Sequence, residues 1–165
     1  MNPYIALTRP GNVALTAIAV VAGSFIAAGN NIVDFQVEIF IASISAMMLV
    51  GGGNALNDYN DRESDKENHP NRPIPAGLIS AEDTLLYSQI LLAGGLLVVL
   101  FGLANKLPFI IALIGTITLI SYENRLKALG CLEILLLDLC QAQFSFLLEW
   151  LLMILVQLYG CLDLL

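Results

Sequence analysis

Apolar positions in this chain fall in long blocks, separated by short polar segments. The blocks run from Val13 to Gly29, Ile39 to Gly53, Thr84 to Ala104, Leu107 to Tyr122 and Leu132 to Leu165. A run of about 17–25 apolar residues is long enough for a helix to cross a bilayer. The pattern predicts an all-α fold, a multi-pass transmembrane helical bundle of about four to six helices. Local signals mark the helix edges. Pro10 follows Thr8-Arg9 as a first-turn proline does. Ser80-Ala81-Glu82-Asp83 reads as a capped start, with acids in the positive first turn. Pro108 sits just inside the fourth block, and Gly51-Gly52-Gly53 closes the apolar part of the second. Small residues there let a neighbouring helix or a ligand approach the backbone.

Composition sharpens this picture. Of 165 residues, 58% are hydrophobic and 13% charged, and the mean hydropathy is +0.80. Soluble domains hold about 25% charged residues, so a soluble or disordered chain is excluded. A net charge of −7 with no basic stripe excludes a nucleic-acid binder. The first apolar block lacks a convincing cleavage site and is expected to remain as a helix. Cys131, Cys140 and Cys161 have no metal-type spacing and read as buried residues.

The seven cations set the expected topology. Arg9, then Arg62, Lys66 and Arg72, then Arg125 and Lys127 fall in alternate polar segments, and only Lys106 falls in the others. The positive-inside bias predicts a cytoplasmic N-terminus in the cell membrane, with the polar segment Asn54–Asp83 also cytoplasmic.

That polar segment carries the candidate chemistry. If the second helix continues through it, Asn57, Asp61 and Asp65 recur every fourth residue on one stripe about 12 Å long, with Asp58 beside them. Carboxylates so close to a membrane are costly unless hydrated or bound to something positive. Magnesium suits them, since it takes hard oxygen ligands and is usually held by one or two carboxylates plus substrate phosphates. Arg62, Lys66, Arg72, Arg125 and Lys127 supply cations for a diphosphate. The alternative is a solvated charged loop with an Asp58–Arg62 pair one helical turn apart. A calcium EF-hand is excluded, because Glu63 and His69 stand where its glycine and last glutamate belong. His69, before Pro70, reads as a turn residue. Pro70, Pro73, Pro75 and Gly77 then force a non-helical turn that holds Arg72 between prolines.

Asn57-Asp58-x-x-Asp61-x-x-x-Asp65 followed by Asn71-Arg72-Pro73-Ile74-Pro75-x-Gly77 resembles the first aspartate-rich motif of the UbiA-type membrane prenyltransferases. Thr8-Arg9-Pro10-Gly11-Asn12 resembles that family's N-terminal signature, and Tyr122-x-x-Arg125-x-Lys127-x-x-Gly130 its Tyr-to-Lys loop. The resemblance implies an all-helical intramembrane enzyme that moves an isoprenyl chain from its diphosphate to an acceptor with magnesium. It implies metal-holding roles for Asn57, Asp61 and Asp65, with Asp58 beside them. Diphosphate contacts are implied for Arg72, Arg125, Lys127 and Lys66, and a place in the substrate cavity for Arg9, Asn12 and Tyr122. The opening residues are most similar to the archaeal branch, whose members add a second geranylgeranyl chain to geranylgeranylglyceryl phosphate in phospholipid synthesis. Aromatic, quinone-type prenyltransferases share the first motif and remain an alternative.

The family carries a second aspartate-rich motif in its second half, and no DxxxD follows Asp65 in this chain. The expectation is a truncated N-terminal half over residues 1–130, inactive where the second motif is needed. Composition changes near Gly130. Residues 131–165 hold 14 Leu, all three Cys and the one Trp, but no Lys or Arg. Glu133, Asp138 and Glu149 interrupt this run without basic partners. The tail is expected to be a frameshifted end, the alternative being a genuine Leu-rich helix or hairpin. Two further readings stay open: a non-catalytic integral membrane fragment, and a small transporter, which the position of the acids at a helix end disfavours.

Overall fold

The computed structural model describes residues 2–121 and Glu123, and every described element is helical. The Leu-rich tail lies outside the described residues. Helix α1 covers Pro3–Leu7, α2 Pro10–Ala28, α3 Gln36–Asn60, α4 Arg62–Asn68, α5 Ala81–Gly102 and α6 Leu107–Ser121. A 3-10 segment, Gly29–Phe35, joins α2 to α3. In a bilayer the backbone groups must be satisfied within the segment, and helices do this. The four apolar blocks before residue 123 thus become α2, α3, α5 and α6. The short helix α1 is an addition that no apolar block signalled.

Two segments, Asn31–Asn60 and Ala81–Gly102, are long and apolar enough to cross a membrane, while the apolar helices at Pro10–Ile26 and Leu107–Ser121 are shorter. The 22 residues of α5 reach about 33 Å at 1.5 Å each, against a hydrocarbon core of about 30 Å. Large apolar side chains, among them Leu15, Ile26, Phe40, Ile90 and Phe101, point outward. A soluble protein buries such residues, whereas a lipid-facing surface presents them.

The core is the antiparallel pair α3 and α5. Its centre holds Leu49, Leu56 and Leu92, with Ala112 from α6. Two glycines allow the close approach. A Cβ on Gly52 would stand 2.9 Å from Leu92 Cγ, and one on Gly95 would stand 2.9 Å from Leu49 Cγ and 3.1 Å from the Ser45 carbonyl. Helix α2 packs on α3 through Val20, Ala42 and Ala46.

Helix ends follow the local signals. Pro10 occupies the first turn of α2. Ser80 caps α5, its Oγ accepting from the Asp83 N–H at 3.0 Å. Lys106 Nζ donates to the carbonyls of Leu100 and Leu103 at 2.7 and 3.0 Å. This cation thus neutralises the carbonyl end of α5. The N-termini of α2 and α5 and the C-terminus of α3 meet at the opposite, polar end.

Candidate functional site

The polar end is built on α3 and its continuation. The helix does continue through the acidic stretch, with a joint at Asp61. The Asp61 N–H donates to the Asn57 carbonyl at 2.9 Å and the Asp65 N–H to the Asp61 carbonyl at 2.8 Å. The one-turn repeat of Asn57, Asp61 and Asp65 therefore survives the joint. Asn57 Nδ2 donates to Asp61 Oδ2 at 2.7 Å.

The other two acids face inward. Asp58 is 5% exposed and Asp65 4%. Seven residues separate them, which is two helical turns, so they share a face. Each carboxylate is matched by a guanidinium. Arg9 Nη2 donates to Asp58 Oδ1 at 2.7 Å. Arg72 Nη1 donates to Asp65 Oδ2 at 2.6 Å and lies 3.5 Å from the same Asp58 Oδ1. Buried charges persist only when paired, and here four alternate in sign along one chain: Arg9, Asp58, Arg72, Asp65. The guanidinium side chains of Arg9 and Arg72 stay 31% and 30% exposed.

Local structure holds both arginines. Arg9 adopts φ 51°, a left-handed conformation costly for a residue with a Cβ. The corner is secured on α3 by Asn54, whose Nδ2 donates to the Thr8 carbonyl at 2.9 Å. Gly51, one turn earlier, leaves room for the Thr8 side chain, whose Cβ would lie 3.3 Å from an added Cβ. Leu7 is fully buried against Ala55 and Ile79. Arg72 lies in a loop that turns on itself. The Arg72 N–H donates to His69, the Ala76 N–H to Arg72 and the Leu78 N–H to Pro73. Gly77 takes φ 70° to close the loop.

Other residues of the stretch lie apart from this chain of charges. Arg62 does not pair with Asp58, the partner that helical spacing offered. Its Nη1 donates to the Tyr59 carbonyl at 2.8 Å and its guanidinium stacks over the Tyr59 ring at 4.5 Å. Asp58 points inward toward the α1–α2 corner, out of register with Arg62. Lys66 pairs with Glu63 at 2.7 Å on an exposed surface and holds its carboxyl below the ordinary value. Asn12 is exposed on the first turn of α2, and Asn60 Nδ2 donates to Glu123 Oε2 at 3.4 Å. Tyr122, Arg125 and Lys127 lie outside the described residues.

Sequence reasoning missed Asn54. Its signal was a lone amide inside the small, apolar run 51–56, where an unsatisfied amide is costly.

Among the described residues, no group of three or more His, Cys, Asp or Glu side chains gathers as a metal cage. The donor set fits a different arrangement. Asp58 and Asp65 are matched by guanidiniums, while Asn57 and Asp61 form a half-buried pair of hard oxygen donors. One carboxylate with an amide oxygen is the protein share expected for magnesium that also binds a substrate's phosphates. The Arg9 and Arg72 guanidiniums, held on Asp58 and Asp65 at the same polar end, suit the phosphates themselves.

The sequence profile of the UbiA prenyltransferase family matches residues 16–161. Digeranylgeranylglyceryl phosphate synthase of Methanothrix thermoacetophila is 37% identical over 123 residues, which cover 74% of this chain and 45% of that protein. The enzyme of the same name from Methanosphaera stadtmanae is 39% identical over 128 residues, 77% of this chain and 44% of that one. That of Thermococcus kodakarensis is 37% identical over 124 residues, 75% and 43% of the two chains. The matched stretch is therefore a little under half the length of these relatives. A solved structure from work on digeranylgeranylglyceryl phosphate synthase in membranes superposes with a TM-score of 0.69 at 26% identity, covering 94% of this chain and 58% of that one.

Proposed function

The chain belongs to the UbiA prenyltransferase family, and on that premise we propose that its polar end binds a prenyl diphosphate for transfer of the prenyl group to a lipid acceptor. The observation that carries this reading is the gathering of two partly exposed guanidiniums, Arg9 and Arg72, on Asp58, at the same polar end of the apolar bundle as the Asn57–Asp61 pair. An isoprenyl diphosphate has the complementary form, with a charged head and a long apolar tail. Relatives matched over about three quarters of this chain are named for digeranylgeranylglyceryl phosphate, which favours a geranylgeranyl donor and geranylgeranylglyceryl phosphate as acceptor over an aromatic one.

Asn57 and Asp61 would hold magnesium together with the diphosphate, and the metal would neutralise charge on the leaving group. Arg72 and Arg9 provide fixed donors where negative charge grows as the bond from prenyl C1 to the diphosphate oxygen breaks. That electron pair leaves with the diphosphate. The acceptor hydroxyl oxygen forms the new bond to C1, and its proton is lost to solvent or to the released diphosphate. Arg125, Lys127 and Tyr122 belong to this reading as further contacts, with Lys66 and Asn12 at its edge. The charge bias places this end at the cytoplasmic face of a multi-pass protein.

The test is incubation of the purified full chain in lipid nanodiscs with labelled geranylgeranyl diphosphate, geranylgeranylglyceryl phosphate and magnesium. Diether product supports the transfer. Saturable, magnesium-dependent binding without product supports the diphosphate site alone and overturns catalysis by this chain. No binding overturns both.

A further inference from the structure

Arg9 and Arg72 offer a site to anions, yet Asp58, itself an anion, stands against both. Its carboxylate is almost fully buried and contacts both guanidiniums through one oxygen, Oδ1, at 2.7 and 3.5 Å. The two arginine nitrogens therefore stand no farther apart than the sum of those distances. Two cations so close repel unless a counter-charge lies between them. They also come from separate parts of the chain. Arg9 follows the Thr8 corner, and Arg72 lies in the loop of prolines.

We propose that Asp58 is a positioning residue that holds Arg9 and Arg72 as a pre-assembled guanidinium pair for a phosphoryl group. Gly51, Asn54 and Asp58 recur at three and four residues on one face of α3. Gly51 admits Thr8, Asn54 holds its carbonyl, and Asp58 holds the next side chain. Asp65, on the same face, holds Arg72 from the other side. The buried ends of both guanidiniums are fixed while part of each stays exposed. Pre-organised donors need no reorganisation when the anion arrives. This assigns Asp58 to the arginines rather than to the metal, and it rests on the diphosphate reading above.

The sign of a charge-neutralising substitution separates the roles. If Asp58 acted only through its charge, Asp58→Asn would strengthen anion binding. If it were a metal ligand, the variant would weaken binding only with magnesium present. A positioning role predicts weakening by about tenfold with magnesium and in EDTA alike, the size of one charge-assisted contact. In an Arg9→Gln background the same substitution should cost less than about threefold, because Arg72 keeps Asp65.

The experiment measures binding of inorganic diphosphate and geranylgeranyl diphosphate to the full chain in nanodiscs, for Asp58→Asn, Arg9→Gln and the double variant. Tighter binding, a loss confined to magnesium, or an undiminished loss in the Arg9→Gln background overturns the proposal. Amide hydrogen exchange supplies a ligand-free readout. Asp58→Asn should raise exchange in residues 4–12 and 69–77 together, with Glu63→Gln as the unaffected control. Unchanged exchange, or a rise in one segment only, overturns the proposal. If the wild-type chain binds neither diphosphate, the functional reading fails and the exchange result still decides what Asp58 holds. Should Asp58→Asn not fold, Asp58→Glu keeps the charge and displaces both guanidiniums. It should weaken binding about threefold, again without regard to magnesium, and wild-type affinity would count against the proposal.

Discussion

The Ser88 hydroxyl of α5 donates to the Gly52 carbonyl of α3 at 2.9 Å, and the Ser45 hydroxyl of α3 donates to the Gly95 carbonyl of α5 at the same distance. Each helix thus presents a serine and a glycine seven residues apart, and the antiparallel pairing exchanges them. Both serines are buried, and each bond satisfies a hydroxyl where lipid and apolar side chains offer no partner. This exchange fixes the register of the two longest helices and hence the height of Asp58 relative to the loop that follows α4.

That register depends on the missing side chain at Gly52. Gly52→Ala places a methyl group 2.9 Å from Leu92 Cγ and 3.1 Å from Leu91 Cβ. Overpacking of this kind costs about 1–3 kcal/mol, more than alanine's gain in helix propensity of about 1 kcal/mol. The variant should therefore melt at a lower temperature in detergent. Gly11→Ala, where an added Cβ meets nothing within 4 Å, should not.

Arg72→Ala leaves Asp65 buried with its shortest ion pair removed. Breaking a buried pair from one side costs about 3–5 kcal/mol. The matched change, Arg72→Ala with Asp65→Asn, should recover part of that loss. A thermal-unfolding cycle of the two single variants and the double reads the coupling. Additive effects would show that the pair contributes nothing beyond its separate members.

At Arg9 two effects oppose one another. Arg9→Gly removes the left-handed strain, worth about 1–2 kcal/mol, but breaks the pair with buried Asp58, worth about 3–5 kcal/mol. The ion pair wins, so Arg9→Gly should destabilise the protein. Arg9→Ala should destabilise it further, by about 1 kcal/mol. Equal melting temperatures for the two variants would mean that the backbone at Arg9 relaxes once the guanidinium is gone.

Asp61→Asn removes the one carboxylate of the half-buried donor pair and leaves the Asp58 and Asp65 carboxylates in place. Magnesium-dependent binding of geranylgeranyl diphosphate should fall by about tenfold or more, the scale of a lost charged ligand. Magnesium-independent binding of inorganic diphosphate should stay equal or rise. A titration of both ligands with and without EDTA measures this, and unchanged magnesium dependence would remove Asp61 from the metal.

Much of this architecture is legible in the sequence because its causes are local. Apolar blocks become α2, α3, α5 and α6, since a backbone in lipid must satisfy itself within each segment. Pro10 and Ser80 mark helix starts through their own geometry, and the four-residue repeat of Asn57, Asp61 and Asp65 needs only a helix to align it. The family that these stretches resemble is the one whose profile matches residues 16–161.

What one element's sequence does not contain is the partner of each charge. By spacing alone Asp58 belongs with Arg62, four residues on, yet it pairs with Arg9, forty-nine residues back. The reason is tertiary. Gly51 and Asn54 dock the Thr8–Arg9 corner on the inward face of α3, which places a guanidinium beside the buried Asp58 carboxylate, while Arg62 lies against the Tyr59 ring. The sequence alone determined the helices, their apolar faces and the presence of an acidic stripe. Packing alone divided that stripe into two inward acids that hold arginines and a half-buried Asn57–Asp61 pair, because burial makes an ion pair obligatory and only the assembled helices decide what is buried.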